Sequence, residues 1–439
     1  MNYLFVSFTL LTSLASGQNP NSEAPLTLTL KDALSRAQAN GPQLLSALAD
    51  ANSAHEDLRQ ARAAILPSVS GRSEYLGTQG NGTLPSGRFV TNDGVHVYRD
   101  WAVVHQDFTA AITRTSIDRA AAAEAIARAK SEIASRGLAL TVTKAYYALL
   151  SAQRKYATAQ QALAEAQRYL EISRNLRRGG EAARIDELRA ELQVTSQEQA
   201  FREARLAMDT ARLDLSVLLF RDLNLNFTVV DDLALAPALP PLGEVRAMAQ
   251  RENPDLLVAS STLRAAELDV KLAREAYLPS LTADFAYGIE ANAFALHSTV
   301  AANPEKGKLP NLGYFLTATL TVPVWDWGAR SSKVRQAALR RAQADVESTA
   351  AQRTLLRNLQ AYYQEAQVAR AQLDSLRHSV DLTSETLRLT GLRYEGGEAT
   401  ILELVDAQTL SIQSRNSYED ALVRYRVAIS NLQTLTGTF

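Results

Sequence analysis

The chain has 439 residues, 46% of them hydrophobic and 21% charged, with 46 Lys and Arg against 47 Asp and Glu. A formal net charge of -1 leaves no basic surplus for nucleic-acid phosphates, and the apolar fraction is too high for a disordered chain. Zero Cys excludes disulfides, thiolate metal sites and Cys nucleophiles, and five scattered His include no HExxH and no close pair, so no metal centre, cofactor or enzymatic site is expected.

Taken in chain order, the sequence opens on an apolar run, Leu4-Phe5-Val6-Ser7-Phe8-Thr9-Leu10-Leu11, followed by the small residues Ala15 and Gly17. This reads as a secretory signal peptide over residues 1–17, cleaved before Gln18. No later apolar stretch reaches the ~18 residues of a membrane-spanning helix. A helix is predicted over 42–66, stopping at Pro67, which opens a strand at about 67–79. A second strand follows at about 98–112, then a long Pro-free helix at about 114–178. Gly179-Gly180 ends it, and a further helix covers about 182–220.

The same order then returns: a helix over 254–278, strands at about 280–290 and 311–325, a long helix over 329–395, Gly396-Gly397, and a last helix over 398–436. The residues repeat with the pattern. Ala61-Arg62-Ala63-Ala64-Ile65-Leu66-Pro67-Ser68 recurs as Ala273-Arg274-Glu275-Ala276-Tyr277-Leu278-Pro279-Ser280, and Gly179-Gly180-Glu181-Ala182 as Gly396-Gly397-Glu398-Ala399. The chain is therefore two tandem copies, 18–235 and 236–439. At ~1.5 Å per residue the long helices reach about 100 Å, and each copy can lay its two shorter helices end to end beside its long one. Leu138, Val142, Ala145, Leu149, Ala152 and Tyr156 alternate spacings of four and three, the seam of a coiled coil.

The strands bear on the solvent. Leu281, Ala283, Phe285, Tyr287 and Ile289 alternate with more polar residues, as do Leu312, Tyr314, Leu316, Ala318, Leu320 and Val322. Ten such residues are the length of a tilted membrane strand. Four strands cannot close a membrane barrel, whose smallest members have about eight. Either they form a soluble half-buried sheet, or several chains share one barrel; three chains would supply twelve strands.

Several motifs in this order resemble the TolC-like outer-membrane efflux protein family: the tandem repeat, the two Leu-Pro-Ser strand openings, Val322-Pro323-Val324-Trp325-Asp326-Trp327-Gly328 before the second long helix, and the Gly-Gly turns before Ile185-Asp186-Glu187-Leu188 and Leu402-Glu403-Leu404-Val405-Asp406-Ala407-Gln408. The resemblance implies a mainly α fold with a membrane β-barrel portion, closed by a homotrimer as a twelve-strand barrel in outer-membrane lipid above a twelve-helix periplasmic tunnel. It implies no catalysis. The implied function is an exit duct for efflux or type I secretion, joined to a periplasmic adaptor and an inner-membrane pump. A rival reading is the periplasmic adaptor itself, a soluble protein with a helical hairpin.

The resemblance also implies roles for residues. Glu403 and Asp406, three apart and so on one helical face, match paired carboxylates at a periplasmic aperture. Asp186 and Tyr394 match a hydrogen-bonding pair that latches neighbouring tips, although the family's Arg after the turn is Ala399 here. The tips themselves, Leu176, Arg177, Gly179, Gly180, Glu181 and Ala182 in one copy and Leu392, Arg393, Gly396, Gly397, Glu398 and Ala399 in the other, are the expected adaptor contacts.

Overall fold

The computed structural model describes residues 26–77, 96–235, 237–291, 294–297, 305, 307, 308 and 310–438. The expected signal peptide and residues 78 and 79 of the first expected strand lie outside them. In chain order the elements are β1 (Leu26–Leu28), α1 (Leu30–Asn40), α2 (Pro42–Ala63), β2 (Ser68–Gly77), β3 (His96–Asp107), α3 (Phe108–Thr113), α4 (Thr115–Arg178) and α5 (Arg184–Leu219). The chain continues with β4 (Phe227–Val229), which closes the first copy, and then α6 (Leu242–Glu252), α7 (Pro254–Glu275), β5 (Ser280–Ala291), β6 (Leu312–Thr321), α8 (Ala329–Glu395) and α9 (Ile401–Thr436).

Local chemistry sets the boundaries. Pro42 and Pro254 stand in the first turn of α2 and α7, where a missing N–H costs nothing. The Asn253 side chain accepts from Leu256 N and caps α7. Two strand expectations need correction. Residues 108–112, expected to be strand, are helical, because the Asp107 carboxylate accepts from Thr109 N at 2.9 Å and Ala110 N at 3.1 Å and turns the chain at Phe108. Residues 322–325 follow β6 without a ladder partner among the described residues.

The four-stranded sheet runs β2-β3-β5-β6, antiparallel throughout, so the two copies meet at β3–β5. Its register collects one apolar face: Val69 opposite Val104, Val104 opposite Phe285, Phe285 opposite Leu316, with Tyr287 opposite Tyr314 and Leu281 opposite Leu320. The other face is polar. There Arg99 reaches Glu290 at 3.1 Å and Glu74 at 3.4 Å, and His105 Nδ1 lies 2.7 Å from Asp284. On that face Trp101 also stacks edge-on against Phe315 at 4.9 Å. It crosses Gly288, where an added Cβ would strike the Asp100 backbone. Large side chains on the apolar face, Val69, Tyr314, Leu316 and Leu320 among them, are exposed. Among the described residues no helix is long and apolar enough to cross a membrane.

Near the sheet α4 lies between α2 and α7; further along it lies between α5 and α9, and α8 lies against α7 and then α9. The end-to-end arrangement of short helices beside long ones is thus the observed one. A module not foreseen from sequence (the parallel pair β1–β4 with α1 and α6) sits midway along the helices. Tyr146 and Tyr147 anchor it: the Tyr146 hydroxyl donates to the Val230 carbonyl at 2.7 Å, and burial pushes the Tyr147 hydroxyl up to about 12. The connector between the copies is clamped from both. Arg154 of α4 donates to Asp231 at 2.8 Å and Glu419 at 2.9 Å, while Arg426 of α9 donates to the carbonyls of Asp232 and Leu235 and lies over the Tyr147 ring.

Candidate functional site at the helical tips

The two Gly-Gly turns close α4 onto α5 and α8 onto α9 with the same geometry. Glu181 N donates to Leu176 O at 2.9 Å and Gly180 N to Arg177 O at 3.1 Å; Glu398 N donates to Arg393 O at 2.7 Å and Gly397 N to Tyr394 O at 3.1 Å. This pair of bonds, six-to-one and five-to-two, is the Schellman motif. It needs a left-handed residue at its centre, and Gly180 and Gly397 supply it with φ of 84° and 75°.

Behind the turns, Leu170, Ala190, Leu387, Tyr394, Ile401, Leu404 and Ala407 form one buried cluster from all four long elements, with Leu176 and Ala399 packed against it. Beside it a pocket lined by Tyr169, Ala190, Gln193, Leu404 and Gln408 has room for only about 10 Å³. The tips of a single chain thus share one apolar packed end. Leu392, Arg393, Glu398, Arg177 and Glu181 face out, and Ala182 is half-buried.

The expected aperture acids lie in the first turns of α9. Glu403 serves as the N3 partner of a capping box: its Oε1 accepts from Thr400 N at 3.3 Å, and Glu403 N donates to Thr400 Oγ1 at 3.3 Å. Arg393 also lies 3.5 Å from this carboxylate. Asp406 is exposed on the same side of the helix and, among the described residues, has no ion-pair partner. Sequence reasoning found the acids but not Thr400 or the Arg393 contact; the Thr-x-x-Glu spacing was the available signal.

Within one chain no hydrogen bond joins Asp186 to Tyr394. The Tyr394 hydroxyl is buried beside Ser173, in good geometry with no acceptor among the described residues. Burial, with Asp186 nearby, raises its pKa above the ordinary tyrosine value. Asp186 faces Arg189 at 3.9 Å instead. The first tip is held by Glu187, which takes Arg177 at 2.5 Å and Arg174 at 3.5 Å.

A further residue of the tip motif gains its partners only in three dimensions. Gln408, 1% exposed, accepts from Gln193 Nε2 at 3.1 Å and donates from its own Nε2 to the Ala162 carbonyl at 3.0 Å, joining α9 to α5 and α4.

A sheet with one exposed apolar face, continuous with paired helices of about 100 Å, is the architecture of an outer-membrane channel protein. The family model for "Outer membrane efflux protein" matches residues 33–219 and 245–438, so the chain belongs to that family. Outer membrane protein TolC of Vibrio cholerae serotype O1 is 24% identical over 438 residues, covering 95% of this chain and 92% of that protein. Outer membrane efflux protein BepC of Brucella suis biovar 1 is 22% identical over 401 residues, covering 90% and 82%. The crystal structure of the Campylobacter jejuni CmeC outer membrane channel superposes with a TM-score of 0.79 at 16% identity, over 99% of this chain and 94% of that one. The protein is an outer-membrane efflux channel, with its helices on the periplasmic side.

Proposed function

We propose that three copies close into one duct, a twelve-strand barrel over a twelve-helix tunnel, which passively conducts substrates delivered by an inner-membrane pump through a periplasmic adaptor. The observation that carries this reading is the pair of open edges. Among the described residues the sheet ends on β2 and β6, each with one unpaired side, and in lipid every unpaired backbone group costs several kcal/mol. The helical layer is open at the same two flanks. On α5, Leu192, Leu206 and Leu213 are exposed at heptad spacing, and on α8 so are Leu382 and Leu389. Edge meets edge in a ring, and three times four strands gives a barrel of even strand number.

In that ring the α9 helices bring three Glu403 and three Asp406 around one axis. Six carboxylates there attract cations, repel anions and resist crowding. The outward residues of the two tips are the adaptor surface, and Asp186 and Tyr394, unbonded to each other within one chain, act as a latch between neighbouring copies. A periplasmic adaptor would have no use for the apolar sheet face, which is why the duct reading is preferred.

Reconstituting the full mature chain in planar bilayers tests this. The expected result is a small, cation-selective conductance that rises, or loses its cation preference, when Glu403 and Asp406 are both changed to Ala. Normal pores indifferent to the double change would remove the aperture assignment, and a soluble monomer without pores would remove the duct.

A further inference from the structure

Gln408 lies in the inward seam of α9, in line with Ile401, Leu404, Ala407 and Ser411, all buried. An apolar residue would fill this place as well, and a buried amide is tolerated only because both of its ends are hydrogen-bonded. The two partners sit on different helices of the other hairpin: the Ala162 carbonyl in α4 and the Gln193 amide in α5. Among the described residues, Gln193–Gln408 is the only side-chain hydrogen bond between α5 and α9. Beyond it, toward the membrane, the two helices part around a groove of about 540 Å³ lined by Ala152, Ala159, Gln197, Ala204 and Asn416. The bridge therefore stands at the tip-side end of this groove, while α4 and α9 stay in contact beyond it through Arg154–Glu419 and Lys155–Asp420.

Apolar seams tolerate small rotations and slides, whereas a polar side chain with two fixed partners admits one register. At 100° per residue, the direction shared by Glu403 and Asp406 lies about 170° around α9 from Gln408. Fixing Gln408 inward fixes the two carboxylates outward. We infer that Gln408 is a positioning residue for the aperture: by tying α9 to Ala162 and Gln193 it sets the rotation and height of α9 and so aims Glu403 and Asp406 at the duct axis. The inference rests on the aperture reading above.

Two readouts test it together. In the full-length chain, which has no Cys of its own, Asp406→Cys is oxidised and the disulfide-linked dimer measured with Gln408 intact and with Gln408→Leu. Efficient linkage that falls severalfold with Gln408→Leu is the expected result. The trimer's Tm in detergent should be unchanged or raised, since an apolar seam residue packs as well. In bilayers, the single change Gln408→Leu should raise conductance about twofold or more with weaker cation preference. Gln193→Leu, at a half-buried position, cuts only the α5 tie and should move both readouts the same way by less; it carries the test if Gln408→Leu does not assemble. Equal linkage and conductance with and without Gln408 would overturn this inference alone. Pores without any Asp406→Cys linkage would overturn the aperture reading and this inference with it.

Discussion

The guanidinium of Arg393 lies 3.5 Å from the carboxylate of Glu403 and donates to the Glu398 carbonyl at 3.0 Å, so one side chain braces the second tip turn on both sides. The same carboxylate completes the capping box of Thr400. In the first copy Ala183 stands at the N-cap without a side-chain bond, and Glu187 with Arg174 and Arg177 does the bracing. The tips are alike in backbone and different in wiring.

That difference predicts opposite responses to matched changes. Thr400→Ala leaves the first N–H groups of α9 without their cap and should cost about 1 kcal/mol. Ala183→Thr places a cap three residues before Asp186, as Thr29 stands before Asp32 in α1, and should stabilise by a similar amount. Thermal unfolding of the detergent-solubilised protein reads both; equal effects of the same sign would refute the wiring described.

The turn glycines should also separate. Gly397 has φ of 75° and nothing within 4 Å of a Cβ, so Gly397→Ala costs about 1 kcal/mol through backbone conformation alone. Gly396 has φ of -83° and only ordinary contacts, so Gly396→Ala should be neutral or stabilising by about 0.5 kcal/mol. Indistinguishable melting temperatures would contradict this account of the turn.

Adjacent positions on β6 point to different solvents. Leu316 lies on the apolar face and Thr317 on the polar one. Leu316→Arg should cost about 2–4 kcal/mol in the bilayer and reduce recovery in the outer-membrane fraction, whereas Thr317→Arg should insert normally and change ion selectivity. Equal insertion of both would mean the sheet face is not in lipid.

A pH dependence follows from the connector clamp. Burial raises the Glu419 carboxyl above its ordinary 4.5, against the pull of Arg154. The folded state then binds this proton more tightly than the unfolded chain. The group's contribution is intact below the unfolded value and is lost as pH rises through the folded one. Glu419→Gln mimics the protonated form, so its Tm relative to the parent should climb as pH rises above the ordinary carboxylate value of 4.5. A pH-independent difference would show that Arg154 fully offsets the burial.

Much of this was legible in the sequence because it is periodic. The α4 seam extends over several turns, and the β5 and β6 alternation lasts about ten residues, so both patterns stand out from any local noise. The Gly-Gly turns declared themselves because left-handed backbone at a helix end demands glycine. What stayed hidden was short or non-local. Three-residue β1 and β4 carry no period at all, and α1 and α6 are too brief to separate from the helices that follow them. The 108–112 error arose because Phe108 and Ile112 favour strands while one carboxylate, Asp107, decided the matter. Arg426 bonds to backbone carbonyls, which leave no mark in a sequence. Gln408 was legible as part of a tip motif, but its two partners, Ala162 and Gln193, are distant in the chain.

The central claim is that β2 of one copy meets β6 of the next in a closed ring of three. With no native Cys, Gly71→Cys can be paired in turn with Leu316→Cys, Ala318→Cys and Leu320→Cys, all on the same sheet face, and oxidised in outer membranes. The account predicts that at least one pairing gives a covalent trimer and nothing larger. Monomer alone at every pairing, or a ladder continuing past three, would contradict it.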